Sequence, residues 1–250
     1  MPDRVDLIYR DGVFRPSINT VAATSLLFPA GTTTRVMAVG DSLTQGQGAE
    51  GSGGYRLKLW NKMKAAGFDF LPVGPSDQPP YSNNGDPYYK SRWAGFGGWQ
   101  IGDIAGTGQY NTTGKAIPQW IADHNPSVLL LMIGTNDLGT TAPATTDMAV
   151  LRQRFNALLD AIYTAKPDID IVLARLPHYQ TFVWSVSTNY SNMIVEELTA
   201  RVAQNPARQM AVADMSTIRE SNDYNDYVHL NAKGYGKAAD IWFNAITSVK

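Results

Sequence analysis

Short apolar segments that alternate with helical patterns are the strongest constraint on what this chain can fold into. Two of them, "VLLLMI" (128–133) and "IDIVLARL" (169–176), are almost continuously apolar. Such runs are typical of strands in a parallel sheet that is covered on both faces. Three further segments are predicted strands: "RVMAV" (35–39), "FDFLPV" (68–73) and "MAVADM" (210–215). The alternation predicts a doubly wound, three-layer α/β/α fold.

The clearest predicted helix covers residues 146–165. Its apolar residues recur at steps of three and four and so share one face: Met148, Leu151, Phe155, Leu158, Leu159 and Ile162. Lys166-Pro167 is a stop signal at its end. Two more helices are predicted at about 187–204 and 231–248. There is no internal repeat, so we expect one main domain over residues 35–250.

Two segments fall outside this alternation. Residues 5–15 predict a β-hairpin with Asp11-Gly12 in the turn, within an N-terminal extension (1–34) that we expect to pack on the main domain. Residues 74–98 form a long predicted loop rich in Pro, Gly, Asn and aromatic residues, which is more often functional than accidental. The aromatic residues of this loop, together with Trp99 and Trp184, have two interpretations: they stack on a substrate, or they belong to the hydrophobic core.

Charge and composition exclude several classes of function. The net charge of −1 gives no electrostatic reason to expect nucleic acid or an anionic membrane as a partner. The absence of cysteine excludes disulfides, thiolate zinc sites and a cysteine nucleophile. No apolar run is long enough to span a bilayer, and the first residues do not form a signal peptide. We expect a soluble protein, either cytoplasmic or secreted after loss of a leader, and the oligomeric state stays open.

The stretch "AVGDSLTQGQGAEG" (38–51) allows two chemistries. Gly46, Gly48 and Gly51 spell G-x-G-x-x-G, and Asp69 lies at about the distance of a ribose-binding acid, so a dinucleotide site is one alternative. However, "GDSLTQ" separates the strand from the first glycine, whereas a dinucleotide fingerprint starts directly after its strand. The other alternative is that Ser42, at the end of the first strand, is a nucleophile.

A serine nucleophile needs a base, an acid that orients the base, and donors for an oxyanion. Of the three histidines, His124 lies in a polar turn, His178 follows the fourth strand, and His229 lies in "NDYVHLNAKGY" after the last strand. Asp226, three residues before His229, is placed to hold its ring, with Asp223 as an alternative. Asn136 in "MIGTNDL" and the backbone at Gly97 and Gly98 are candidate donors.

Together these residues resemble the SGNH, or GDSL-type, hydrolase family. The resemblance rests on four blocks in the family's order: "GDSLTQG", "GGWQIGDI", "IGTNDL" and "DYVHLNAKGY". It implies a flavodoxin-like fold with five central parallel strands and a triad of Ser42, His229 and Asp226. It also implies oxyanion donors at the backbone N–H groups of Ser42 and Gly98 and at the side chain of Asn136. The family does not use the G-x-S-x-G elbow, which this chain lacks.

The blocks look most like those of carbohydrate acetylesterases such as acetylxylan esterases. One departure is "HLN" after the histidine, where esterases of this type often read H-P-N. The expected function is hydrolysis of acetyl or short acyl esters on carbohydrates, with Asp41, Trp99, Trp184 and His178 as substrate-binding candidates. A broader lysophospholipase- or thioesterase-like hydrolase and a non-catalytic carbohydrate-binding module are the alternatives. Neither a cofactor nor a metal is expected.

Overall fold

The computed structural model describes residues 25–49, 53–76, 92–139, 144–178 and 184–249, and the backbone of residues 7–10 and 13–16. The side chain of Trp184 is outside this description. In the described ranges the strands are β1 (Leu7–Arg10), β2 (Val13–Pro16), β3 (Thr34–Gly40), β4 (Phe70–Pro72), β5 (Ala94–Gly95), β6 (Val128–Met132), β7 (Asp170–Arg175) and β8 (Met210–Asp214).

The helices in the same ranges are α1 (Ser42–Gln45), α2 (Tyr55–Ala65), α3 (Ile101–Ala105), α4 (Ile117–His124), α5 (Thr135–Leu138), α6 (Met148–Ala165), α7 (Trp184–Val202) and α8 (Ala232–Ser248). Two 3-10 turns, Met215–Thr217 and Ser221–Asp223, connect β8 to the loop before α8. The apolar face predicted for α6 is its buried face, including Leu151, Phe155 and Leu158.

The main sheet has the strand order β4-β3-β6-β7-β8, and all of its pairings are parallel. The two-residue strand β5 also pairs with β3, through Val39 with Ala94 and Gly40 with Gly95. Every residue of β6 is buried, as its continuously apolar sequence predicts. Helices α2 and α8 pack together, α3, α4 and α7 gather around α6, and both α7 and α8 contact β7 and β8. The predicted α/β fold is therefore confirmed, with β5 as a short addition to the five-stranded path.

The N-terminal extension contains the expected hairpin, since β1 and β2 pair in antiparallel fashion. Its turn at Asp11-Gly12 lies outside the described residues. After the hairpin, the Ser25 hydroxyl donates to the carbonyl of Ile246 at 2.6 Å, and the Leu26 amide donates to the carbonyl of Val249. Residues 25–28 therefore lie against the end of α8. The division into 1–34 and 35–250 stays a prediction.

Candidate active site

Ser42 lies directly beyond the carboxyl end of β3, in the middle of the sheet. The strand is almost wholly buried, and it ends at Gly40 because α1 starts two residues later. Asp41 caps this short helix by accepting the Leu43 amide at 3.0 Å. As the first residue of α1, Ser42 has a backbone N–H without an acceptor in the helix. The serine residue is 4% exposed, so its hydroxyl lies in a recess rather than on open surface.

His229 connects Ser42 to Asp226 through hydrogen bonds at both of its ring nitrogens. Nε2 lies 2.9 Å from the Ser42 Oγ, and Nδ1 lies 2.8 Å from Oδ2 of Asp226. The carboxylate can only accept at Nδ1, so that nitrogen carries the proton and Nε2 is free to accept from the serine hydroxyl. Ser42 and His229 are 187 residues apart in the sequence and meet at the same edge of the sheet.

Asp226 also shapes the loop that carries His229. Its Oδ1 accepts the backbone amides of Val228 and His229, both at 2.7 Å. Partial burial acts to raise the pKa of the Asp226 carboxyl, but the hydrogen bonds from the His229 amide and ring and from the Val228 amide outweigh it and lower that pKa. The group is therefore ionised at neutral pH, although its side chain is 46% exposed.

Asp223, the alternative orienting acid, faces a different group of side chains. It is fully buried, and its two oxygens pair with Lys233 at 3.1 Å and Lys237 at 2.6 Å, both on α8. These two cations lower the pKa of the Asp223 carboxyl in spite of its desolvation. Asp223 thus anchors the start of α8, and the contact with His229 belongs to Asp226.

The two candidate donor segments lie at the same edge of the sheet as Ser42. Asn136 is in α5, which follows β6, and β6 pairs with β3 along its whole length. Gly98 follows β5, whose extension is held by the Phe96 amide donating to Gly40 at 3.1 Å. Gly98 has φ +79°, a conformation that glycine adopts without strain, and its position is open to solvent.

Asp41 is a fully buried carboxyl group next to Ser42 in the sequence. Burial raises its pKa to about 6, an effect that the Leu43 amide, the Thr135 hydroxyl and the charge of His229 only partly offset. Its Oδ1 is occupied by the cap of α1. Asp41 is thus enclosed in the protein, where it caps the helix that begins at Ser42. Its contact with substrate stays a prediction.

Asp41→Asn should change the pH dependence of stability in a defined direction. Because the folded-state pKa of Asp41 is raised, the folded protein binds more protons than the unfolded chain between about pH 4 and pH 6, so wild-type stability falls as the pH rises through that window. Asparagine keeps the cap acceptor but carries no charge. The variant should therefore gain up to about 3 kcal/mol relative to wild type between pH 4 and pH 7.5. Urea unfolding at both pH values measures this, and an equal difference at both would contradict it.

The other predicted substrate-binding residues have different positions. Trp99 is 4% exposed, and its ring stacks on Phe96 (4.1 Å between centroids) and lies 6.0 Å from Trp120. The aromatic ring of Trp99 thus belongs to the hydrophobic core, which is one of the two positions expected for it, and a contact with substrate stays a prediction. His178 is half-buried beside the loop that carries His229, and its carbonyl accepts the Tyr224 hydroxyl at 2.6 Å.

Other aromatic candidates divide between the core and the undescribed segments. Trp93 is buried under the guanidinium of Arg56, whose central carbon lies 3.7 Å from the ring centroid. The tyrosines of the predicted loop, Tyr81, Tyr88 and Tyr89, lie outside the described residues, and so does the side chain of Trp184.

Two glycines of the G-x-G-x-x-G pattern, Gly46 and Gly48, are explained by packing. A Cβ at Gly46 would lie 2.8 Å from the backbone nitrogen of Gly54. At Gly48 it would lie 2.7 Å from the Leu230 carbonyl oxygen and 2.9 Å from the Cβ of His229. Glycine at position 48 therefore lets the loop after Ser42 lie against the loop that carries the imidazole, without any nucleotide. Gly51 lies outside the described residues.

The described ranges contain no cluster of metal ligands and no membrane-spanning helix. Within these ranges, no three His, Cys, Asp or Glu side chains are grouped so that they could hold a metal ion. None of the helices in the same ranges is both long and apolar enough to cross a membrane.

Comparisons with known proteins agree with these features. A family model, the GDSL-like Lipase/Acylhydrolase family, matches residues 38–237. The chain is 30% identical over 231 residues to a multidomain esterase of Ruminococcus flavefaciens, covering 88% of this chain and 29% of that protein. It is 27% identical over 135 residues to a putative endoglucanase X of Acetivibrio thermocellus, covering 51% of this chain and 53% of that one. The chain thus spans only part of both relatives.

The fold is also shared with a solved structure. A Clostridium thermocellum family 3 carbohydrate esterase matches with a TM-score of 0.64 and 27% identity, over 86% of this chain and 95% of that one. The family match covers all four sequence blocks up to the start of α8. This chain belongs to the GDSL-like lipase/acylhydrolase family, as its sequence blocks predict.

Proposed function

We propose that this protein is a serine esterase that removes acetyl or other short acyl groups from carbohydrates. The observation that carries the proposal is the hydrogen-bonded series Ser42–His229–Asp226, with 2.9 Å and 2.8 Å between successive polar atoms. A hydroxyl, an imidazole and a carboxylate in this order are the parts that nucleophilic acyl transfer requires.

In the first half of the reaction, the Ser42 Oγ attacks the ester carbonyl carbon while Nε2 of His229 takes the hydroxyl proton. The imidazolium that forms is stabilised by ionised Asp226 at Nδ1. Collapse of the tetrahedral intermediate breaks the bond to the alcohol oxygen, and His229 returns the proton to the departing alcohol. The product of this half-reaction is an acyl group on Ser42.

In the second half, a water molecule attacks the acyl carbon and gives its proton to Nε2 of His229. The second tetrahedral intermediate collapses to the free carboxylic acid, and the Ser42 oxygen regains its proton from the imidazole. Because Nε2 must be unprotonated to start each half-reaction, kcat/KM should decrease towards acid pH.

Three N–H donors are assigned to the negatively charged oxygen of both intermediates. They are the backbone amides of Ser42 and Gly98 and the side chain of Asn136. The assignment is supported by the strand pairing, since β3, β5 and β6 are neighbours and all three donors follow their carboxyl ends. Fixed donors of this kind stabilise a developing oxyanion more than they stabilise the neutral ester.

The carbohydrate part of the proposal is supported by the name of one similar protein, the family 3 carbohydrate esterase from Clostridium thermocellum. The multidomain esterase from Ruminococcus flavefaciens supports the esterase part. The exposed polar side chain of Gln47, beside Gly97 at the site, fits a hydroxylated alcohol better than a lipid chain.

A substrate panel tests this proposal. The purified protein is assayed on acetylated xylo-oligosaccharides and on p-nitrophenyl esters with acyl chains of increasing length. We expect acetate release from the saccharides and a steep fall in kcat/KM as the acyl chain lengthens. A preference for long acyl chains or thioesters would favour the broader acyl-hydrolase function instead. Saccharide binding without hydrolysis of any ester would favour the non-catalytic binding module.

Asp226→Asn should reduce kcat by roughly 10- to 100-fold. The loss of about 10⁴-fold at a buried triad acid comes from the wrong imidazole tautomer. The Asp226 side chain is 46% exposed, so water can accept the Nδ1 proton in its place and part of the variant keeps the productive tautomer. The matched control is Asp223→Asn, three residues away, which removes a charge paired with lysines. We expect Asp223→Asn to lower the melting temperature and to keep kcat within about twofold of wild type. A larger loss of kcat in the Asp223 variant would reassign the orienting acid.

A further inference from the structure

Two segments that carry proposed oxyanion donors are joined by a set of hydrogen bonds that the catalytic mechanism itself does not use. One is residues 98–101, at the start of α3, and the other is Asn136–Asp137 in α5. We propose that Gln100 and Asp137 are positioning residues: they form an oxyanion clamp (Gln100, Asn136, Asp137 and Arg154) that fixes the Asn136 donor relative to Gly98. This inference rests on the proposed esterase function.

The first part of the clamp is a reciprocal pair of bonds. The Asn136 Nδ2 donates to the carbonyl of Trp99 at 2.8 Å, and the Gln100 Nε2 donates to the carbonyl of Asn136 at 3.0 Å. The bond to Trp99 defines which end of the Asn136 carboxamide is nitrogen and fixes the plane of the group. A carboxamide has two N–H donors, and this bond uses one of them. The second N–H remains for the oxyanion.

The second part of the clamp is the Asp137 carboxylate, which is fully buried. Its Oδ2 accepts the Ile101 amide at 2.9 Å, and its Oδ1 accepts Nη1 of Arg154 on α6, also at 2.9 Å. Asp137 therefore connects the start of α3 and the α5 turn to α6. Separation of Arg154 from Asp137 would leave the buried carboxylate without its positive partner. The contact between α5 and α6 is therefore strongly favoured.

The residues next to Gly98 are held by two further contacts. The Trp99 ring stacks on Phe96, which also stacks on Trp120. The Gln100 amide donates to Oδ2 of Asp103 at 2.8 Å, which caps the start of α3. The segment that follows Gly98 is thus held in place from residue 99 onward. Because Asn136 is hydrogen-bonded to Trp99 and Gln100, its position is fixed relative to that segment.

Rigidity at this point matters because an oxyanion donor stabilises the transition state only when it is aimed before the charge develops. A displacement of about 1 Å in a catalytic constellation is enough to cost a factor of about 100 in rate. Gln100 and Asp137 act at a distance from the reacting atoms, so their contribution should appear in kcat and depend on the presence of Asn136.

The first experiment compares Gln100→Met with the control Gln119→Met. Methionine keeps the length of the side chain, but it removes the donor to Asn136 and also the acceptor that Gln100 supplies to the capping box of α3. Gln119 has a comparable structural role away from the clamp, since its Oε1 accepts the Ala116 amide at the start of α4. We expect Gln100→Met to lower kcat about 10-fold with KM within about twofold of wild type. Gln119→Met should leave both constants unchanged, and thermal unfolding shows whether both variants are folded.

The second experiment is a double-mutant cycle with Asn136→Ala. If Gln100 acts through Asn136, then adding Gln100→Met to Asn136→Ala should lower kcat by less than about twofold. In Asp137→Asn the new NH₂ group faces one of the two N–H donors, from Ile101 or Arg154, that the carboxylate accepts. The loss of kcat in this variant should likewise be smaller when Asn136 is already replaced by alanine. In each folded single variant the acid limb of the pH profile should keep its wild-type position, since the His229–Asp226 contact is unchanged.

The outcomes separate the clamp from the proposed function. Full activity of Gln100→Met, or equal losses of kcat with and without Asn136, would overturn the clamp while ester hydrolysis by Ser42 stands. A shift of the acid limb would also overturn it, because the effect would then pass through His229. An inactive wild-type protein would remove the proposed function, and the clamp with it.

Discussion

Replacement of Ser42 by alanine is expected to lower kcat for short-chain esters by about 10⁴-fold or more. The Oγ atom is the group that forms the bond to the acyl carbon, and nothing else in the His229 hydrogen-bond series can replace it. The change removes a single oxygen from a side chain at the start of a four-residue helix whose cap is made by Asp41. The fold should therefore be retained, and p-nitrophenyl acetate hydrolysis with circular dichroism measures both effects.

A matched control for this variant is Ser25→Ala. Ser25 is also buried, and its hydroxyl bonds to Ile246 at the far end of α8 from His229. Loss of that hydrogen bond should reduce stability by about 1 kcal/mol without changing kcat. A p-nitrophenyl phosphonate ester should transfer its phosphonyl group to wild type and to Ser25→Ala with release of p-nitrophenolate, and the mass of that group should not appear on Ser42→Ala. Labelling of Ser42→Ala, or its undiminished activity, would exclude Ser42 as the nucleophile.

Asn136→Ala is expected to have the second largest effect. Removal of one oxyanion donor typically raises the barrier by about 2.7–4 kcal/mol, which is a loss of roughly 100- to 1,000-fold in kcat. KM should change little, because the donor acts on charge that develops after the ester is bound. Steady-state kinetics on a short ester measures the two constants separately.

The control for Asn136 is Asn205→Ala. Asn205 also donates its carboxamide to a backbone carbonyl, that of Pro167 at 3.2 Å, but at an exposed turn. Its replacement should leave kcat within about twofold of wild type. If Asn136→Ala folds and retains near-full activity, the oxyanion is stabilised by other groups.

The centre of the sheet was predictable because β6 and β7 are buried on both faces. The segments 128–133 and 169–176 correspond to β6 and β7 with boundaries within two residues, since a continuous apolar run has no other place in a doubly wound fold. Helix α2 was not predicted. Its inward face includes Arg56, which is 4% exposed and donates to the Thr44 and Gln45 carbonyls, so the helix lacks a simple apolar stripe.

The proximity of Ser42 and His229 was predictable from their motifs, because both follow strands of one parallel sheet. The position of the Trp99 ring was not predictable from the sequence. It depends on the packing of Trp99 with Phe96 and Trp120, and no sequence pattern indicates how these rings are arranged. Asp137 was missed for a similar reason. Its partner Arg154 lies 17 residues later on another helix, and no pattern in the sequence links them.

The separation of Ser42 and His229 has a consequence for synthesis of the protein. During translation Ser42 is synthesised early. His229 follows 187 residues later, and α8 begins directly after it. Lys233 and Lys237 of that helix hold Asp223 at the base of the histidine loop, so the loop is seated only when α8 docks. Polypeptides whose translation stops before this helix should therefore hydrolyse no ester, so activity should depend on completion of α8.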